Sequence, residues 1–97
     1  MTRTELKQKC RYFAEHSKST NAIEREQRRA FVGMYNCLND ISPITVILGD
    51  KVISKCESVI SIYEESDDFD IQERVAVLKE AVAVYKEILE NMVKLSE

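Results

Sequence analysis

The sequence predicts an all-α protein, an antiparallel four-helix bundle in which a short first helix precedes three longer helices. The 97 residues include only two Gly and one Pro, so residues that break helices are scarce. Apolar residues recur at helical spacing in four segments. The connectors between these segments are short, which favours antiparallel neighbours. We therefore expect a single helical domain over residues 1–97.

The first predicted helix runs from about Thr4 to Ser17. Thr2 and Glu5 have the spacing of a capping box, in which the Thr hydroxyl accepts a hydrogen bond from a free amide at the helix start. The apolar stripe of this helix is narrow: Leu6, Cys10, Phe13 and Ser17. Because this helix is the shortest and least apolar, three long helices with a mobile first helix are an alternative.

The second predicted helix opens with Asn21 and Glu24, another pair at capping-box spacing, and ends near Asn39-Asp40. Its residues at helical spacing define one face with a single polar member, Gln27. The stripe consists of Ile23, Gln27, Ala30, Phe31, Met34, Leu38 and Ile41.

Ser42-Pro43 predicts the start of the third helix, because Ser caps free amides and Pro suits the first helical position. The stripe that follows is Ile44, Leu48, Val52, Cys56, Val59, Ile60 and Tyr63. An alternative makes Ile44–Leu48 a short strand ending in a Gly49-Asp50 turn. Since the chain offers no second strand for pairing, we favour the helix, in which Gly49 costs about 1 kcal/mol.

The connector that follows, residues 64–69, is acidic. Asp70 and Glu73 predict the cap of a fourth helix that runs to about Leu95. This helix has the most regular apolar stripe of the chain: Ile71, Val75, Leu78, Val82, Tyr85, Leu89 and Met92.

The charge is divided along the chain. Residues 1–39 hold eight Lys or Arg against four Glu, whereas residues 40–97 hold six basic against thirteen acidic residues. Net charge bears on association rather than on fold. The acidic connector carries the part of the negative charge that ion pairs within the chain explain least. We therefore expect a partner contact at Glu64, Glu65, Asp67 and Asp68.

The cysteine and histidine residues show little sign of a catalytic or metal-binding role. The three cysteines (Cys10, Cys37 and Cys56) fall on or beside apolar stripes, so we interpret them as reduced core residues of a cytoplasmic protein. The single histidine, His16, lacks partners for a triad or metal site. No secretory signal or membrane-length apolar run is visible, and we expect no membrane association.

One acidic pattern resembles the EExxE…ExxD arrangement of all-α nucleoside triphosphate pyrophosphohydrolases: Glu64, Glu65, Asp68, Glu87 and Glu90. In that family such carboxylates hold Mg²⁺, so the resemblance implies a metal-dependent nucleotide hydrolase. Asp68 stands where the family has Glu, and Glu90 where it has Asp. Glu87 lies 17 residues beyond Asp70, roughly 25 Å along the hairpin. Carboxylates so far apart cannot share one metal, and we predict no metal, cofactor or catalytic residue.

The outer face of the second helix carries the candidate nucleic-acid site. Arg25, Arg28 and Arg29 lie opposite the core stripe, and Tyr35 continues along that face. Arginines beside an aromatic ring suit phosphate contact and base stacking. The sequence pI of about 5.3 is, however, far from the basic value of dedicated nucleic-acid modules.

The leading functional prediction is a non-enzymatic protein–protein interaction module, a small regulator, inhibitor or adaptor that also forms homodimers. On the fourth helix Val77 and Val84 widen the apolar surface, either as core or as a surface for a partner helix. The basic face described above is a second candidate surface. Nucleic-acid regulation through that face is the alternative function.

Overall fold

A computed structural model describes residues 1–17, 22–40 and 43–96, without the side chains of residues 23, 43–46, 48 and 92–96. Within these ranges the chain forms helices and no strand, which confirms the all-α class. The helices are α1 (Arg3–Glu15), α2 (Ala22–Asn39), α3 (Pro43–Tyr63) and α4 (Phe69–Ser96). None of them, over the described residues, has both the length and the apolar character needed to cross a membrane.

Cross-helix contacts define the bundle. Arg3 Nε at the start of α1 donates to the Leu38 carbonyl near the end of α2, 2.7 Å away. Lys79 in the first half of α4 pairs with Glu64, just after the end of α3. Within the described ranges each helix packs on its chain neighbours, α1 also packs on α4, and α2 meets α4 across the centre. Because α1 and α3 do not meet, they occupy opposite corners of a square.

The starts of α1 and α3 agree with the sequence. Thr2 Oγ1 accepts from the Glu5 amide at 3.1 Å, so the predicted cap is confirmed. α3 begins at Pro43 and is helical through Ile44–Leu48, so the strand alternative is wrong. The predicted caps Asn21 and Ser42 lie outside the described residues.

The predicted cap of α4 is wrong by two residues. Asp68 Oδ1 accepts from the amides of Asp70 and Ile71, at 2.9 and 3.4 Å. These are the second and third helical positions, where an N-cap side chain bonds. The helix consequently begins at Phe69, and Asp70 lies within its first turn.

The apolar stripes meet in one core. The fully buried large side chains come from all four helices: Leu6, Cys10, Phe31, Met34, Leu38, Cys56, Leu78 and Tyr85. Ala14, Ile53 and Ala81 also join this core, although they lie off the predicted stripes. Other predicted core residues fall outside the described side chains: Ile23, Ile41, Ile44, Leu48 and Met92.

α1 is packed onto the bundle rather than separate from it. Leu6 and Cys10 are fully buried. Arg74 of α4 lies over the Phe13 ring, 5.3 Å from its centroid, and donates to Ser17 Oγ at 3.1 Å. A cation over an aromatic face adds an electrostatic attraction to the apolar contact. The alternative with a mobile first helix is therefore not the arrangement observed.

Tyr85 joins three helices at the centre of the bundle. Its side chain is fully buried, and its hydroxyl interacts with the Cys37 thiol of α2. The ring also lies against the Gly49 backbone of α3, where a Cβ atom would come within 2.7 Å of the hydroxyl oxygen. Gly49 is thus required by the close approach of a neighbouring side chain, which offsets its low helix propensity.

The three cysteines are free and buried in this core, as predicted. Burial raises the pKa of the Cys10 thiol to about 12. Burial, with smaller effects from the neighbouring Cys10 and Cys37 thiols, also raises the pKa of Cys56 to about 12. The pKa of Tyr85 is raised to about 12, first by burial and then by Cys37. These groups are therefore neutral at physiological pH.

We predict that Gly49→Ala destabilises the protein by about 1–3 kcal/mol, as overpacking does, although Ala favours helices. The reason is the clash between the new Cβ and the Tyr85 ring. Chemical denaturation followed by circular dichroism measures this effect. Ser54→Ala is the matched control, because Ser54 is exposed on the same helix. Ala favours helices, so the control should gain a little stability. A similar gain for Gly49→Ala would contradict the packing of Tyr85 against Gly49.

The raised pKa values also predict alkaline unfolding. In the folded state the Cys10 and Cys56 thiols have pKa values of about 12, above the reference value of 9.0 for Cys. Their contribution to the free energy of unfolding is therefore fully present below pH 9. This stabilisation is lost as pH rises from 9 to about 12. We expect the Cys10→Ala, Cys56→Ala double variant to lose less free energy of unfolding over that range. Ile53→Val, a core change without a titrating group, should show the same change in free energy of unfolding with pH as the wild type. The same dependence on pH in all three proteins would contradict the prediction.

Candidate functional site

The inner face of α2 fixes where its arginines lie. Ala30, Phe31 and Met34 are fully buried against the other helices. The guanidinium groups of Arg25, Arg28 and Arg29 are consequently on the opposite, solvent-exposed face, as the helical spacing predicts. Together with Val32 they line a shallow depression of about 530 Å³. The three predicted basic residues are therefore brought together on one surface.

A smaller groove lies between α1 and α2, next to this depression. Its volume is about 190 Å³. We call it the basic groove, and its lining residues are Arg11, Ala14, Glu15, Arg28, Val32 and Tyr35. Two of the predicted residues, Arg28 and Tyr35, belong to it, and Arg28 links it to the depression. The helix pairing adds Arg11 and Ala14, which the analysis of α2 alone could not supply.

Arg11 and Tyr35 connect the two walls of the basic groove. Arg11 Nε pairs with Glu15 at 3.0 Å. The pKa of Arg11 is raised, first by its hydrogen bond with Glu15 and the charge of that carboxylate, and then by Tyr35. The Tyr35 side chain thus interacts with a cation of the neighbouring helix while remaining half-buried against the core. Arg11 of α1 and Tyr35 of α2 therefore lie close to each other across the groove.

The arginines differ in whether a carboxylate neutralises them. Arg29 pairs with Glu26 at 3.2 Å, and Arg11 is occupied by Glu15. No carboxylate among the described residues lies within ion-pair distance of Arg25 or Arg28. Beside them Val32, an apolar residue, is 41% exposed. The groove therefore combines unpaired positive charge with an exposed apolar contact.

The connector between α3 and α4 and the first two residues of α4, together residues 64–70, carry most of the acidic cluster, and we call this segment the acidic turn. Of the four predicted contact residues there, two have structural roles: Glu64 pairs with Lys79 at 2.7 Å, and Asp68 caps α4. The carboxylates of Glu65 and Asp67 are exposed and have no ion-pair partner among the described residues. The turn thus retains unpaired negative charge.

Phe69 is the residue of this turn that the sequence analysis did not single out. It is 77% exposed, the highest value among the large hydrophobic residues the structure describes. The signal was present in the sequence as one aromatic residue within an acidic run. Only the position of the α4 start, however, shows that Phe69 points away from the core.

The predicted partner surface on α4 is wrong at Val77. This side chain is 2% exposed and belongs to the core. Val84 is half-buried and packs against the same core. The reason is that α4 contacts α1, α2 and α3, so its buried arc is wider than one stripe. The exposed Ile47 on α3 is separate from these two valines, and Val46 lies outside the described side chains.

The acidic residues of the nucleotide-hydrolase resemblance do not form a metal site. Among the described residues, no group of three His, Cys, Asp or Glu side chains converges in a way that could hold an ion. Glu64 and Asp68 are engaged by Lys79 and by backbone amides. His16 is exposed, stacked on Tyr12 at 4.0 Å between ring centroids.

Ion pairs within the chain do little to join its basic and acidic parts. Most of those formed by described residues lie within one half of the chain, such as Lys79–Glu64 and Lys86–Glu57. The amino terminus reaches Glu80 at 2.8 Å, and Lys55 reaches Glu26 at 3.7 Å. Because exposed pairs each contribute only about 0–1 kcal/mol, the charge division is a property of the surface rather than of folding.

No family model matches this chain, and no curated protein or solved structure matches it either.

Proposed function

We propose that this protein is a non-enzymatic interaction module that binds an acidic segment of a protein partner in the basic groove. The observation that carries the proposal is Arg28, whose guanidinium lies at the groove without a carboxylate among the described residues. A guanidinium presents paired N–H donors that match the two oxygens of a carboxylate. Glu15, the carboxylate that lines the groove, pairs with Arg11. An acidic segment would supply the counter-charge for Arg28.

The apolar part of the groove favours a protein ligand with an apolar or aromatic anchor. Val32 is 41% exposed, and the Tyr35 ring and Ala14 lie beside it. Aromatic and arginine residues are enriched where interfaces gain most of their binding energy. We therefore propose a segment in which carboxylates flank one apolar side chain. A cytoplasmic location, where free cysteines stay reduced, is part of the same proposal.

Nucleic acid is the less favoured ligand. A polyanion gains affinity by neutralising several phosphates at once. On this surface, Glu15 and Glu26 already pair with two of the arginines, and their charge repels a phosphate backbone. Two unpaired arginines suit a short acidic peptide better.

Fluorescence anisotropy at low protein concentration tests this proposal. The probe is a labelled short peptide of Glu and Asp around one Phe, compared with a single-stranded oligonucleotide of equal charge. We expect the peptide to bind more tightly, and Arg28→Glu to weaken it roughly tenfold through the loss and reversal of an exposed charge contact. Added salt should weaken the binding further.

Lys51→Glu is the matched control, since it makes the same charge change at an exposed position on α3. We expect it to bind the peptide nearly as the wild type does. Tighter binding of the oligonucleotide would favour the nucleic-acid alternative. Equal affinities of the Arg28→Glu and Lys51→Glu variants would show that the basic groove is not the binding site.

A further inference from the structure

We propose that the ligand of the basic groove is the acidic turn of a second copy of this chain. The proposal rests on the function proposed above and names the partner. Each copy carries both surfaces, so one contact joins the acidic turn of one molecule to the basic groove of another. Phe69 is the apolar anchor of this contact, and Glu65, Asp67 and Asp70 supply the carboxylates.

The acidic turn has the composition that the groove requires. The side chains of Glu65, Asp67 and Asp70 are exposed and have no ion-pair partner within the described part of the chain. They lie within four residues of Phe69 in the sequence, and Phe69 is 77% exposed. On the other surface, Arg25 and Arg28 have no ion-pair partner among the described residues, and they line the same depression as the exposed Val32. Opposite charges and apolar contacts are thus available on both sides of one interface.

The acidic turn is also held in one conformation. The Ser66 amide donates to the Tyr63 carbonyl at 3.0 Å, and the Asp68 amide donates to Ser66 Oγ at 3.2 Å. Gln72 Nε2 donates to the Ser66 carbonyl at 2.9 Å. A segment that is ordered before binding loses less conformational entropy when it docks. Phe69 therefore extends from a pre-organised turn rather than from a flexible loop.

The two surfaces cannot meet within one molecule. The basic groove lies between α1 and α2, and the acidic turn joins α3 to α4. In the square arrangement of the helices these are opposite edges of the bundle. We therefore place the contact between the groove and the turn between two molecules rather than within one. A contact between two different surfaces is heterologous, so each molecule can both offer its turn and receive another.

Sedimentation velocity over a range of protein concentrations tests the proposal. We expect the wild-type chain to associate reversibly, and more weakly as salt is added, because exposed charges contribute to the contact. Arg28→Glu and Asp67→Lys should each weaken association roughly tenfold. Phe69→Ser should weaken it as well, by removing the apolar anchor.

The decisive sample is an equimolar mixture of Arg28→Glu and Asp67→Lys chains. In this mixture the unchanged turn of the Arg28→Glu chain meets the unchanged groove of the Asp67→Lys chain. The charge-reversed turn of the Asp67→Lys chain likewise meets the charge-reversed groove of the Arg28→Glu chain, so association should return. Lys51→Glu and Glu90→Lys are controls with the same charge changes at exposed positions elsewhere. Thermal unfolding verifies that every variant is folded.

A wild-type chain that stays monomeric at all concentrations would overturn the proposal, as would a mixture that fails to recover association. Binding of the acidic peptide by such a monomeric chain would leave the proposed function standing with a different partner. Loss of both peptide binding and self-association would remove both.

Discussion

The contact between α2 and α4 at Tyr85 is the interaction on which the rest of the structure depends. The Tyr85 ring lies fully buried between Cys37 of α2 and the Gly49 backbone of α3. It fixes which face of α2 turns inward, and thereby places Arg25 and Arg28 on the outside. The same diagonal contact keeps α1 and α3 apart at opposite corners. The separation of the basic groove from the acidic turn thus follows from how the core is packed.

The division of charge acquires a physical meaning in this arrangement. Exposed ion pairs contribute little to folding, and most of those among described residues lie within one half of the chain. The buried apolar side chains are sufficient to explain the bundle. Among the described residues, Arg25 and Arg28 on one edge and Glu65 and Asp67 on the other have no ion-pair partner. These two surfaces are the ones that the proposed contact between copies would bring together.

The sequence predicted most of the helices but only part of the site. The Thr2 cap and the start at Pro43 depend on local chemistry, so they were readable from neighbouring residues. Val77 was included in the predicted partner surface although it is buried. The width of the buried arc of a helix depends on how many helices surround that helix, and residue spacing along one helix does not reveal this number. The exposed face of the α2 arginines was predicted in the same way as the apolar stripes, from residue spacing along one helix. The groove was not, because it requires Arg11 of another helix at the correct distance.

Nuclear Overhauser effects between molecules measure the proposed contact most directly. In a mixture of isotope-labelled and unlabelled chains, filtered spectra retain only signals that connect one molecule to another. The proposed assembly predicts signals between the Phe69 ring of one copy and the Val32 methyl groups of another. Intermolecular signals at Ile47, an exposed apolar residue of α3, without any at Val32, would contradict it.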